Sequence, residues 1–433
     1  MNESDTVTEE KTYNRWLPVV GALLVQLALG SVYAFSIFTG PLSENTGYGR
    51  TSFQILGIFG MAVAVFAITM IFAGRLQDRR GPRLVATLGG LVYGAGYIIA
   101  SFFTDNLAML YISYGVIGGI GLGLGYVCPL TAVVKWFPDK KGLVSGIAVA
   151  GFGAGAFIFT QVGKWIIQGS DDGLSNSFLY MGLIFTVMVV AGAQLLRNPP
   201  AGWMPKGYNP KSKMNGQGLD FEPRETVRTR AFVLLTFMFL LSATAGLMMI
   251  GNVTNVATYL DPSKTMLVFA QAQTIAGILA LFNGAGRIGW GKVSDHLGRI
   301  KTMKLMFMIQ ALVLFGAAGF VAVKPTDEII QFVGLTAFAS AIGFTFGGNF
   351  ALFPSTTADY FGTKNLGMNY GLVFTGYGAA GVLGSLIPGL LAGSDNGFVW
   401  VFVAVGVASL VTFGMAMLLK APKRASETAE TAQ

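Results

Sequence analysis

Gly74-Arg75-Leu76-Gln77-Asp78-Arg79-Arg80-Gly81-Pro82-Arg83 stands between two long apolar runs, and Gly291-Lys292-Val293-Ser294-Asp295-His296-Leu297-Gly298-Arg299-Ile300-Lys301 repeats its plan 217 positions later. Gly, Asp and Gly keep the same spacing in both copies. A second echo runs from Pro129, Gly142 and Gly146 to Pro354, Gly367 and Gly371, each displaced by 225 positions. One such spacing carries little information. Two copies at equivalent places, with a further echo behind them, describe a chain of two homologous halves. The glycines permit tight turns between packed helices, and the two aspartates suit helix N-termini or neighbouring arginines.

The rest of the chain places this repeat in a bilayer. Of 433 residues, 53% are hydrophobic and 12% charged, against about 25% charged in soluble domains. The 59 glycines suit membrane helices, whose backbones approach closely at small residues. Apolar runs long enough to span begin near Leu17, Phe53, Leu84, Leu107, Gly142 and Phe178, and again near Ala231, Leu267, Met303, Ile329, Leu366 and Phe398. The expected architecture is an all-α membrane protein of twelve transmembrane helices in two pseudo-symmetric bundles of six. Its parts are a tail (1–16), a first bundle (17–196), a polar linker (197–230), a second bundle (231–419) and a second tail (420–433).

With both termini inside, 24 of the 29 Lys and Arg fall in inner tails and loops. The positive-inside rule then predicts cytoplasmic termini in the inner, plasma membrane. That topology explains the net charge of +8 without any nucleic-acid partner. One cysteine, Cys128, and one histidine, His296, exclude an intrachain disulfide and a structural zinc site. No metal or cofactor is expected.

Within the apolar runs one charge stands alone. Leu267 to Trp290 reads LVFAQAQTIAGILALFNGAGRIGW, with Arg287 its sole ionisable residue. Such a group at membrane depth costs roughly 2.5–3.5 kcal/mol or more and normally faces a protein-lined cavity. It lies one turn before Gly291, and helical side chains lean toward their N-terminus, so the guanidinium points to midplane. Snorkelling to inner headgroups runs against that lean. Pairing needs an acid, and no Asp or Glu lies within the interior of a span. A guanidinium without a counterion in its own chain calls for an anionic cargo, and its forked donors match a carboxylate. Asn283, four residues earlier, shares its face and can donate to a second oxygen or brace the arginine.

The paired loops resemble the signature of the major facilitator superfamily, and the resemblance covers nearly the whole chain. In that superfamily the loop cluster holds the cytoplasmic side closed, which implies gate roles here for Asp78, Arg79, Asp295, Arg299 and Asp359. More narrowly, GSVYAFSIFTGPL, FNGAGRIGWGKVSDHLGR, NFALFPSTTADYFG and NYGLVFTGYG resemble the oxalate/formate antiporter family and the related monocarboxylate transporters. That resemblance implies a substrate site of Arg287, Asn283 and Tyr126, with aromatic walls at Phe346, Phe350, Phe374, Tyr377, Phe152 and Phe35. The oxalate exchanger carries a lysine on the eleventh helix, where this chain has Tyr377. One cation suits one carboxylate, since a second would be buried unpaired at a cost of several kcal/mol. The first-helix lysine of animal monocarboxylate carriers is also missing.

The expectation is a secondary transporter of a small monocarboxylate, resembling carriers of lactate, pyruvate or formate, working by alternating access as a monomer. No ATP-binding domain or membrane-embedded acid is visible. Energy coupling is therefore left between proton symport and anion exchange of the oxalate/formate type. A carboxylate sensor is the alternative from another class. An enzyme is not expected, since the spans hold no nucleophile, metal site or acid–base pair. Asn252, Asn255 and Tyr259 form a polar stripe on the seventh helix, read as an outer gate against the first helix or as interhelical glue.

Overall fold

The structure, a computed structural model, describes residues 14–48, 53–200, 203–205, 220–260, 265–391 and 396–422. Among these the chain is helical, with no strand. The first six long helices are α1 (Leu17–Leu29, running on as a 3-10 helix through Gly30–Ile37), α2 (Phe53–Arg80), α3 (Pro82–Ala100), α4 (Leu107–Trp136), α5 (Lys141–Gln168) and α6 (Gly173–Leu195). The second six are α7 (Arg230–Leu260), α8 (Thr265–Leu297), α9 (Arg299–Val323), α10 (Glu328–Phe361), α11 (Leu366–Leu391) and α12 (Gly397–Leu418). Among the described residues, ten of them are long and apolar enough to cross a membrane. The other two, α8 and α11, are 33 and 26 residues long.

The halves meet along two seams, α5 against α8 and α2 against α11, and glycine makes both possible. A Cβ on Gly146 would collide with the carbonyl of Arg287, and one on Gly371 would lie 2.7 Å from the carbonyl of Met70. Towards the basic end the seams repeat each other. Gly142 and Gly291 face one another across the first, and Gly367 and Gly74 across the second. The displacements of 217 and 225 positions map one seam onto the other. They also map Arg287 onto Met70, so the arginine belongs to one half alone.

Turn chemistry closes the paired loops. Gly81 and Gly298 stand directly before α3 and α9 with φ of 83° and 85°, a left-handed region that only glycine enters without strain. Pro129 and Pro354 lie buried inside α4 and α10. The polar linker is held at two places among its described residues. Trp203 packs against Trp136 at the end of α4, with ring centroids 4.8 Å apart. Phe221 is buried against Phe361 at the end of α10, and its amide donates to the Phe361 carbonyl at 3.0 Å.

Candidate functional site

At the basic end each half reaches into the other through an aspartate. Asp78 accepts from the backbone amides of Gly367 and Met368, at 3.1 and 2.9 Å. Asp295 accepts from Gly142 and Leu143, at 2.9 and 2.8 Å. These amides open α11 and α5, where the first N–H groups lack intrahelical partners and the helix dipole favours an anion. The first seam's Asp295 is also gripped by Arg299 at 2.7 Å. Arg299 bonds Asp359 at 2.9 Å, and Asp359 pairs with Lys141 of the first half at 2.8 Å. The second seam has no such network among the described residues, since 217 positions before Arg299 stands Pro82. Arg79, expected in this cluster, is exposed and makes no hydrogen bond or ion pair among the described residues. Its position on α2 turns it outward, one residue beyond the inward-facing Asp78.

Deeper in, Arg287 is fully buried, with 0% exposure. Its Nε donates to Asn283 Oδ1 at 3.0 Å, and Nη1 donates to the carbonyl of Val149 on α5 at 2.6 Å. No carboxylate pairs with it among the described residues. Its carbon Cζ sits 4.3 Å from the ring centroid of Phe350 and 5.3 Å from that of Phe152, where the faces of the rings attract a cation. Arg287 Nη2, Asn283 Nδ2 and the Tyr126 hydroxyl are buried and have no hydrogen-bond partner. Buried polar groups are rarely left so. Three donors from two halves, one of them charged, converge in one aromatic enclosure.

Tyr126, 1% exposed, packs against Phe66, Phe152 and Phe374 at 5.2, 5.5 and 5.5 Å. Phe374 and Tyr377 pack tilted at 4.7 Å, and Tyr377 meets Phe350 at 5.4 Å. These residues form one connected cluster with the arginine. Phe346 touches it only through Phe350, at 5.2 Å, and otherwise fills the space over Gly246 of α7. Phe35 is not part of it. It packs with Phe59, Phe38 and Tyr114, at 5.9, 6.3 and 5.1 Å, inside the first half. Tyr33 stands in its place, hydrogen-bonded to the Tyr377 hydroxyl of the other half and edge-on to Phe152 at 5.0 Å. Residues 30–37 wind as a 3-10 helix with three residues per turn, which sets Tyr33 and Phe35 on different faces.

Phe66 and Phe239 complete the wall. Phe239 stacks on Phe353 at 4.3 Å and touches Phe374 at 5.6 Å. Among 34 phenylalanines, nothing in the sequence distinguishes these two. The stripe on α7 turns back on its own half. Asn255 donates to Asn252, Asn252 donates to the carbonyl of Met248, and Tyr259 packs on Phe398 beneath the Lys324 ammonium.

Residues 20–352 and 269–433 match the Major Facilitator Superfamily. The chain is 30% identical to the oxalate:formate antiporter of Oxalobacter formigenes, covering 93% of this chain and 91% of that protein. It is 31% identical to the uncharacterized MFS-type transporter YhjX of Escherichia coli K12, over 85% of this chain and 86% of that one. It is 25% identical to monocarboxylate transporter 12 of Mus musculus, over 94% and 86%. Among solved structures, the Escherichia coli fucose:proton symporter FucP superposes with a TM-score of 0.66 at 15% identity, over 92% of this chain and 98% of that one. A bacterial homologue of the iron transporter ferroportin, in an outward-facing state, gives 0.66 at 16%, over 93% and 99%. At those identities the likeness concerns the fold alone.

Proposed function

The chain belongs to the Major Facilitator Superfamily, and from that premise we propose that it carries small monocarboxylates, of the lactate, pyruvate or formate kind, by alternating access. It is a multi-pass membrane transporter and not an enzyme, so the question is what it moves and how. The observation that carries the reading is the buried Arg287, with Nη2, Asn283 Nδ2 and the Tyr126 hydroxyl all lacking acceptors. A carboxylate supplies two oxygens with about four lone-pair sites, enough for all three donors. The enclosing phenylalanine rings favour a short apolar remainder over a second charge. A dianion would need a second cation, and on α11 Tyr377 stands where the oxalate exchanger is expected to carry lysine.

In this reading the basic end is cytoplasmic in a plasma membrane, with both termini on that side, and the protein works as a monomer. Asp78, Asp295, Arg299 and Asp359 form the inner gate. Arg79 has no part in it. Arg287, Asn283 and Tyr126 bind the carboxylate, and Phe152, Phe350, Phe374 and Tyr377 wall the site.

Proton-coupled net transport is favoured over obligatory exchange by the Val149 carbonyl and the two ring faces. They balance part of the guanidinium charge from within the chain, so the carrier's return does not require a counter-anion. The relative named as an oxalate:formate antiporter makes exchange the second reading. Counterflow in proteoliposomes tests the proposal, using labelled lactate, pyruvate, formate, acetate and oxalate. Uptake of monocarboxylates ahead of oxalate is expected, with efflux into substrate-free buffer driven by a pH gradient. Movement of none of these acids would sink the substrate assignment. Flux only when an anion is present on both sides would replace symport by exchange.

A further inference from the structure

The half-buried Tyr33 and the buried Tyr377 lie beyond Arg287 as seen from the inner gate. Arg287 precedes Asp295 by eight residues along α8, about 12 Å, and Tyr377 follows Gly367 by ten along α11, about 15 Å. Their hydroxyls bond across the halves. Each tyrosine also rests on a phenylalanine of its own half, Tyr33 on Phe152 at 5.0 Å and Tyr377 on Phe350 at 5.4 Å. Those two rings are the ones flanking the Arg287 guanidinium, at 5.3 and 4.3 Å. The element under Tyr33 is also unusual. Eight residues of 3-10 helix, Gly30–Ile37, stand between Leu17–Leu29 and a further helical stretch at Thr39–Thr46, longer than the three or four residues at which such runs normally stop, and such a stretch inside a helix often marks a hinge. At its base Gly30 lies so close to the Phe152 carbonyl that a Cβ would collide with it, tying the hinge to the same residue.

We propose that Tyr33 and Tyr377 form the latch that closes the site at the end opposite the inner gate, and that cargo at Arg287 sets the latch through Phe152 and Phe350. An anion drawn to the guanidinium settles between the two rings, one from each half. Fixing both rings fixes the tyrosines that rest on them, and their hydroxyls meet. Withdrawal of the cargo frees the rings, and the 3-10 segment swings Tyr33 away. The inference rests on alternating access and not on which acid is carried.

The test measures distances between spin labels at two ends of the full-length protein, with buried Cys128 replaced by serine. Labels at Asp105 and Thr326, both exposed, report the latch end. Labels at Leu84 and Lys301, both exposed near the starts of α3 and α9, report the inner gate. Tyr33→Phe and Tyr377→Phe keep the rings and remove the bond. Each is expected to raise the long-distance population at the latch end about fivefold, the worth of one ordinary hydrogen bond. The double variant should add nothing, because both singles break the same bond, and the Leu84–Lys301 distances should stay as in the parent. Saturating lactate should shorten the parent's latch-end distances. A latch-end distribution unchanged in both single variants, or effects that add in the double, would overturn the latch. If lactate, pyruvate, formate and oxalate all leave the parent unmoved while the variants open it, the latch stands and the substrate assignment falls. Should one single variant fail to fold, shown by altered Leu84–Lys301 distances, the other reads the same bond.

Discussion

The two ends of the molecule close by different chemistry. At the basic end two aspartates cap helices of the opposite half, and one is reinforced by Arg299, Asp359 and Lys141. Beyond Arg287, at the proposed latch, the hydrogen bond that joins the halves among the described residues is the neutral one from Tyr33 to Tyr377, over a bed of aromatic rings. Charge-assisted hydrogen bonds are worth roughly 1.5–3 kcal/mol each and neutral ones about 1 kcal/mol. With both contacts acting as the proposed gates, the difference makes the basic side the harder of the two to open. Cargo held at Arg287 then has to outweigh the stronger closure before it can leave inward.

The largest effect expected from breaking that contrast is at Asp359. Its removal leaves Lys141 and Arg299 without their shared partner, and losing one member of a largely buried ion pair costs about 3 kcal/mol or more. Asp359→Ala should therefore move the Leu84–Lys301 distances to a mainly open population, a shift of more than roughly a hundredfold. A gate that stays shut would mean the network adds nothing to closure.

A smaller effect sharpens the comparison between the two seams. Asp295→Asn and Asp78→Asn both weaken two bonds to backbone amides, but only the first also loses the charge of an arginine pair. Asp295→Asn should open the basic end further than Asp78→Asn, by about 1 kcal/mol or fivefold. Equal effects in the same distance measurement would show that Arg299 is a bystander. The smallest belongs to Arg79. Its replacement by alanine should change stability and transport by no more than about 0.5 kcal/mol, as for an ordinary surface site. A marked loss of counterflow would return it to the gate.

Legibility followed chemistry that repeats or stands alone. The spacing of Asp78 and Asp295 marked the paired loops, because turn glycines and an acid leave a fixed pattern. Arg287 was visible as a lone charge in an apolar run, where desolvation makes chance occurrence rare. Arg79, implied by the resemblance, lies exposed outside the ion-pair network. Displacing Arg299 by 217 positions gives Pro82, a signal already in the sequence that the arginine's role exists in one half only. Phe35 came from the resemblance alone, and nothing in the residues of the first helix pointed to Tyr33 two positions earlier. Phe66 and Phe239 lay hidden for another reason: aromatic packing is written in three-dimensional neighbours, and a chain rich in phenylalanine offers no contrast.

The account's centre is the pairing of Arg287 with a carboxylate, and equilibrium binding to the purified protein tests it most directly. Lactate, pyruvate and formate would be titrated against the parent and Arg287→Lys, with the Leu84–Lys301 distances confirming that both share one fold. The lysine keeps the charge but loses the forked donors, so affinity for the bound acids is expected to fall roughly ten- to a hundredfold. Unchanged affinity in Arg287→Lys would contradict the account at its root.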